Sequence, residues 1–170
     1  AVLNSDARNS RNHSETEVKE NMTNHMTTLP VTHQDLLEQP VVVTIATVSE
    51  DGQPYTAVVW RRWDGGIIRI VTDPKTRKYR NIKTNAKVSV TAVDPQNPYR
   101  YLVVNGIVET IVDDVQQTTA ELDAQTKLYT GKEHYFGDIE PAENRAKATY
   151  VTLLIKPARY IKVGSMTSSI

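Results

Sequence analysis

The sequence predicts a mainly β fold: a small barrel of six antiparallel strands, with two or three helices. Three observations carry that prediction. Short runs such as Val41–Val48 and Ile67–Thr72 are dominated by β-branched residues, which suit a pleated, packed surface. The runs are joined by tight turns, Glu50-Asp51-Gly52-Gln53 and Asp64-Gly65-Gly66 among them, and hairpin links of that length impose antiparallel pairing. Six such strands are better closed than open, because closure removes exposed sheet edges.

Residues 1–28 are rich in Asn, Ser, Thr, Glu and His and are expected to form a disordered tail, since they bury too little to offset ordering entropy. One domain is expected over residues 29–165, with a short C-terminal end at 166–170. Thr32–Glu38 reads as a short helix with Thr32 as its N-cap, stopped by Pro40. Val41–Val48 is the first strand, expected to be covered on both faces. Tyr55–Trp63 is the second and Ile67–Thr72 the third, after which a basic segment opens a short helix ending near Thr84. Lys87–Val93 alternates as a fourth strand, and two prolines hold the loop Asp94–Pro98. Tyr99–Val112 is a long fifth strand, bent at Gly106. Asp113–Tyr129 carries an incomplete apolar stripe of Val115, Leu122, Leu128 and Tyr129, and reads as a helix stopped by Gly131. Tyr150–Ile155 and Arg159–Val163 close the sheet around Lys156-Pro157.

Composition narrows the function. With 20 basic and 20 acidic residues, the chain lacks the bulk charge of a nucleic-acid binder. It has no cysteine, which removes thiolate and disulfide chemistry and suits a reducing cytoplasm. No apolar run approaches the roughly 18 residues of a membrane span, and no signal-peptide h-region is recognisable. The histidines, His13, His25, His33 and His134, show no zinc-site spacing. No P-loop, dinucleotide-binding glycine pattern or G-x-S-x-G is present. No metal site and no catalytic acid, base or nucleophile is assigned.

Against this neutral background, five cations fall between Lys75 and Lys83 with no acid among them. They come after the strand ending at Thr72 and sit where a helix begins. Thr76, Arg77 and Lys78 there would supply charge-assisted hydrogen bonds to a phosphate, supplemented by first-turn N–H groups and by Lys75. The same residues would also suit a solvated helix face with Asp73 as cap. On the second strand, alternation puts Trp60 and Arg62 on one face and Arg61 and Trp63 on the other. Trp60 and Arg62 could flank a planar anionic ligand, or Trp60 could belong to the core or to a subunit contact. Asn97-Pro98-Tyr99-Arg100-Tyr101 reads as a pocket rim, a subunit contact or a rigid loop.

The order strand, Asp51-Gly52-Gln53-Pro54, two strands, Thr72-x-x-x-Thr76-Arg77-Lys78, helix, Asn85-x-Lys87-Val88-Ser89-Val90 resembles the flavin-binding split β-barrel of the pyridoxamine 5′-phosphate oxidase-like superfamily. Arg77–Ile82 followed by Asp94-Pro95-x-Asn97-Pro98-Tyr99-Arg100-Tyr101 resembles its branch of deazaflavin (coenzyme F-420)-dependent reductases. The resemblance implies a six-stranded split barrel of the FMN-binding type. It implies that Thr76, Arg77 and Lys78 hold a cofactor phosphate together with Thr72. It further implies that Ala57, Val58, Val59 and Trp60 pass the ring, and that Arg62 takes the place of a lysine of the true oxidases. Those oxidases carry an arginine where this chain has Ala57, and their C-terminal substrate-binding segment is not recognisable in this sequence. The deazaflavin branch therefore fits better.

The activity implied by the resemblance is that of an oxidoreductase using coenzyme F-420, or else FMN, for hydride transfer to a small organic substrate. The chain is expected to act as a homodimer, with Tyr99–Tyr101 of a second copy near the pocket. A non-catalytic carrier or sensor of a cofactor or tetrapyrrole is the alternative of a different kind.

Overall fold

A computed structural model of the chain describes residues 25–166. Eight strands make one antiparallel sheet: β1 (His25–Met26), β2 (Val43–Val48), β3 (Pro54–Val59), β4 (Arg62–Trp63), β5 (Ile68–Thr72), β6 (Lys87–Val93), β7 (Tyr101–Val112) and β8 (Val151–Val163). Their order is β3-β2-β6-β7-β8-β5-β4, with β1 added against β8. The two edges of that path, β3 and β4, are consecutive in the chain and are joined only by Trp60 and Arg61. The barrel is thus split between β3 and β4, as the antiparallel split-barrel reading requires.

Inward side chains of β2, β5, β6, β7 and β8 form one core. Ile45, Ile68, Ile70, Val90, Leu102, Val104, Leu153 and Ile155 are fully buried in it. Each contributes about 1.5–3 kcal/mol by leaving water. Helix α1 (Asp35–Glu38) adds Leu36 and Leu37, and α2 (Arg77–Thr84) adds Ile82. Helix α3 (Val115–Thr130) lies outside against β5 and β8. Asp114 caps it, accepting from the Gln117 N–H at 2.8 Å, and Gly131 ends it at φ 75°.

Several expectations change. There are eight strands among the described residues rather than six. The run Tyr55–Trp63 is two strands, because the chain leaves one edge of the sheet at Val59 and rejoins at the other edge at Arg62. The two closing strands are one, since β8 runs through Lys156-Pro157 with a register shift opposite Gly106. A Cβ on Gly106 would lie 2.7 Å from the Lys156 carbonyl oxygen, so only glycine permits that approach. Strand β2 alternates between buried and half-buried residues instead of being covered on both faces.

Thr32 caps no helix. A 3-10 turn (Val31–His33) precedes α1, and the Thr32 carbonyl accepts from Arg100 Nη2 at 2.8 Å. Pairing also starts earlier than Leu29: His25 and Met26, read as tail, face Ile161 and Tyr160. The rest of the expected tail, residues 1–24, and residues 167–170 lie outside the described residues.

Candidate functional site

Strand β5 delivers Thr72, 3% exposed, to the start of the basic turn. Its hydroxyl is 3.1 Å from that of Thr76, which also donates to the Asp73 carbonyl at 2.8 Å. Asp73 organises the turn through its carboxylate as well, accepting from the Lys75 N–H at 2.8 Å. Thr76, and not Asp73, occupies the N-cap position of α2. The first-turn N–H groups of any α-helix lack partners within the helix, so this turn brings hydroxyls, amides and cations to one place.

Lys78 is half-buried, and its ammonium has no hydrogen-bond or ion-pair partner among the described residues. Burial holds its pKa below the ordinary lysine value, opposed by the charge of Asp73. Arg77 is exposed and lies over the Tyr55 ring of β3, 6.0 Å from its centroid. It lines an open cleft with Ser49, Glu50 and Asp51. The Ser49 hydroxyl bond, with a smaller contribution from Arg77, lowers the pKa of Asp51. Lys75 is exposed, and its carbonyl accepts from Arg80 Nη1 at 2.7 Å. Helix α2 packs on β2 and β3, with Asn81 Nδ2 donating to Thr47 Oγ1 at 3.0 Å. That packing carries the turn across to β3.

Strand β3 alternates. Ala57 and Val59 face Ile45 and Val43 and pack on the core, whereas Val58 faces Thr44 and is 72% exposed. Trp60 is half-buried and stacked on Tyr129 of α3, with centroids 5.1 Å apart and planes 2° from parallel. The Tyr129 hydroxyl donates to the Val41 carbonyl at 2.8 Å and accepts from the Arg61 N–H at 3.2 Å. Burial raises its pKa, which keeps it a donor.

Arg62 does not join the turn. It sits opposite Arg69, at the other end of β5 from Thr72, and forks onto the buried Glu121 carboxylate at 2.6–3.1 Å. Across the break between β3 and β4, Trp60 and Arg62 both reach α3, through Tyr129 and Glu121.

Sequence reasoning missed several neighbours of the turn. Tyr55 signals itself only by its place after an Asp-Gly turn. Tyr150 precedes Val151, the partner of Thr72, and its hydroxyl donates to Glu140 at 3.3 Å, as does that of Tyr135. Burial raises both phenol pKa values. The segment between α3 and β8 gave no local sign of this cluster.

Residues 29–164 match the family model described as Pyridoxamine 5′-phosphate oxidase. The chain is 35% identical over 75 residues to the pyridoxine/pyridoxamine 5′-phosphate oxidase of Shewanella frigidimarina, covering 36% of this chain and 35% of that one. It thus spans about a third of the length of that curated relative. It is similar to a solved structure named F420 Reductase at 36% identity and TM-score 0.67, covering 78% of this chain and 98% of that one. A conserved hypothetical protein of Mycobacterium tuberculosis shares the fold at TM-score 0.65 and 22% identity, over 81% of this chain and 86% of that one.

Proposed function

Because the chain belongs to the pyridoxamine 5′-phosphate oxidase family, a flavin-type oxidoreductase family, on its match over residues 29–164, we propose that it is an oxidoreductase using coenzyme F-420. One observation carries the reading: in the first turn of α2, two residues after the N-cap Thr76 whose hydroxyl pairs with that of Thr72, Lys78 is half-buried with no hydrogen-bond or ion-pair partner among the described residues. A phosphate supplies the acceptor oxygens and the charge that this arrangement lacks. The deazaflavin choice draws support from the F420 Reductase likeness, which spans nearly all of that chain. The curated oxidase match spans only a third of its relative. Ala57, packed on the core, brings no second cation. FMN is the other reading, favoured by the oxidase names of the curated relatives.

A bound deazaflavin or flavin supplies hydride chemistry. The chain's own residues hold and orient. Thr72, Thr76, Arg77, Lys78 and Lys75 take the phosphate end, and Ala57–Trp60 line the ring. The Trp60 indole is fixed flat by Tyr129.

A homodimer belongs to the same reading. Val58, Val93 and Ile107 are large exposed apolar residues of the sheet, and Ile107 lines an apolar groove of about 440 Å³ with Ala46, Val48, Pro54 and Ala158. Exposed apolar patches of this kind mark association surfaces. Among the described residues no helix is long and apolar enough to cross a membrane, and the cysteine-free chain suits the cytoplasm.

Titration with coenzyme F-420 and with FMN, read by native mass spectrometry, tests both parts. Saturable F-420 binding to a dimer is expected. A protein that takes up neither cofactor below high micromolar concentration ends the reading, and uptake of FMN alone transfers it to the flavin form.

A further inference from the structure

Strand β8 is flanked on one side by two strands that do not meet. Strand β5 covers it from Val151 to Ile155, and β1 only at Tyr160 and Ile161. A cavity of about 500 Å³ opens there, lined by Leu29 after β1, Gln34 and Glu38 at the two ends of α1, Trp63 of β4 and Tyr160 of β8. Sites for small molecules have this size. Trp63 pairs with Ile68, at the other end of β5 from Thr72. At the rise of a strand those two ends are roughly 13 Å apart, so the cavity is separate from the basic turn.

Three side chains give the cavity its chemistry. Tyr160 is 6% exposed, and its hydroxyl has no hydrogen-bond partner among the described residues. Nor is that hydroxyl sealed from solvent, since the sealed, unpartnered side-chain atoms of those residues belong to Arg61, Arg100 and Thr126. It therefore reaches open space, and the space that Tyr160 lines is this cavity. Burial raises its pKa, which keeps it a donor. Trp63 shares the inward face with Ile68 and packs on the core, and its indole stacks on no other ring among the described residues. Glu38 is the one charged residue of the lining. Gln34 Nε2 donates to its Oε1, and no cation of the described residues pairs with it.

A buried hydroxyl donor, an indole and an uncompensated carboxylate are complementary to one kind of molecule. Indole attracts a cation as well as packing on a ring. The carboxylate favours an ammonium and repels an anion, and the phenol calls for an acceptor oxygen. We propose that this cavity is a second ligand site, which takes a small aromatic amine as its ammonium ion, with an oxygen on its ring to accept from Tyr160. The site stands apart from the cofactor reading and does not depend on it. A phosphorylated cofactor does not suit it, because no cation lines the cavity.

Isothermal titration calorimetry with tyramine, phenethylamine and para-hydroxyphenylacetate tests the proposal. Tyramine carries the ring, the ammonium and the oxygen. Phenethylamine lacks the oxygen, and para-hydroxyphenylacetate has a carboxylate in place of the amine. Submillimolar binding of tyramine is expected, with phenethylamine weaker and the carboxylate unbound. Glu38→Gln should weaken both amines about tenfold, the scale of a charged hydrogen bond. Tyr160→Phe should weaken tyramine about fivefold, the scale of a neutral one, and leave phenethylamine unchanged. The chain has two tryptophans, so Trp60→Phe leaves Trp63 as the only indole, and tyramine should alter its emission.

Amines that bind no more tightly than the carboxylate overturn the proposal, and that comparison needs no variant. Affinity indifferent to Glu38→Gln, or an equal loss of both amines in Tyr160→Phe, overturns it too. Binding that leaves the Trp63 emission unchanged, or that saturating coenzyme F-420 abolishes, places the amine at another site and has the same consequence. A protein that binds coenzyme F-420 but neither amine loses this proposal alone, whereas one that binds tyramine as described and no cofactor keeps it and loses the functional reading.

Discussion

At the basic turn, the bonds that shape the backbone join residues two to five apart: Asp73 with Lys75 and Thr76, Thr72 with Thr76, and Lys75 with Arg80. At the Trp60–Arg61 corner the partners are distant. Arg61 reaches back 22 and 25 residues to Gln39 and Leu36, and Tyr129 comes from 68 residues ahead. The turn keeps its cations exposed or half-buried, with no side-chain ion pair among the described residues, whereas the corner seals its cation inside. The turn can thus lose a cation without unfolding, while the corner joins α1, the start of β2, α3 and the two sheet edges, so a change there reaches the whole barrel.

Tyr129→Ala offers the sharpest way to break that contrast. It removes the stack on Trp60 and leaves the Val41 carbonyl and the Arg61 N–H without their partner. Loss of a large side chain together with these bonds should cost about 3 kcal/mol of stability. Urea denaturation reads this directly. A cost below about 1 kcal/mol would mean that the corner is held by α1 alone and that Tyr129 is only a neighbour.

The same difference in range explains what was legible in the sequence. Lys87–Val93 alternates in sequence and in burial, and its bounds match. Gly131 ends α3 because a positive φ there favours glycine, and the stop could be read from one residue. The turn could be read because its donors are consecutive. The corner could not. Alternation along Tyr55–Trp63 assumes one continuous strand, and nothing between Val59 and Arg62 announces that the chain changes edges. Nor does an arginine's sequence context reveal that Leu36 and Gln39 offer it carbonyls but no acid. Arg100 misleads differently. Its aromatic loop suggests a pocket rim, yet it is 1% exposed and bound to Asp35 and Asp94.

Lys78 tests the other region. Lys78→Ala should weaken cofactor binding by about 1.5–3 kcal/mol, the scale of a charged hydrogen bond. Stability should not fall, because the ammonium has no partner to lose among the described residues. The pH dependence has a definite sign. Burial depresses the folded-state pKa below the ordinary 10.5, so the charged amine disfavours the fold at neutral pH, and that penalty disappears as pH rises through the folded pKa to 10.5. Lys78→Met should therefore be the more stable protein at pH 7, with the gap narrowing toward pH 10.5. A gap that is constant with pH in denaturation curves would show that the ammonium is fully hydrated in the fold.

The smallest effect expected is at Arg77, and it asks whether the turn touches β3 at all. Arg77 lies over the Tyr55 ring at 6.0 Å from the centroid, a contact worth about 0.5–1 kcal/mol at an exposed site. A double-mutant cycle with Arg77→Ala and Tyr55→Leu, followed by stability, isolates it from whatever each residue does alone. A coupling near 0.5 kcal/mol is expected without cofactor. If Arg77 also takes the phosphate, the guanidinium is drawn from the ring, and the coupling should shrink when coenzyme F-420 is bound. A coupling that survives binding unchanged would leave the phosphate to Thr72, Thr76 and Lys78. Arg77 would then be a strut between the turn and β3, a role closer to that of the corner than to that of the grip.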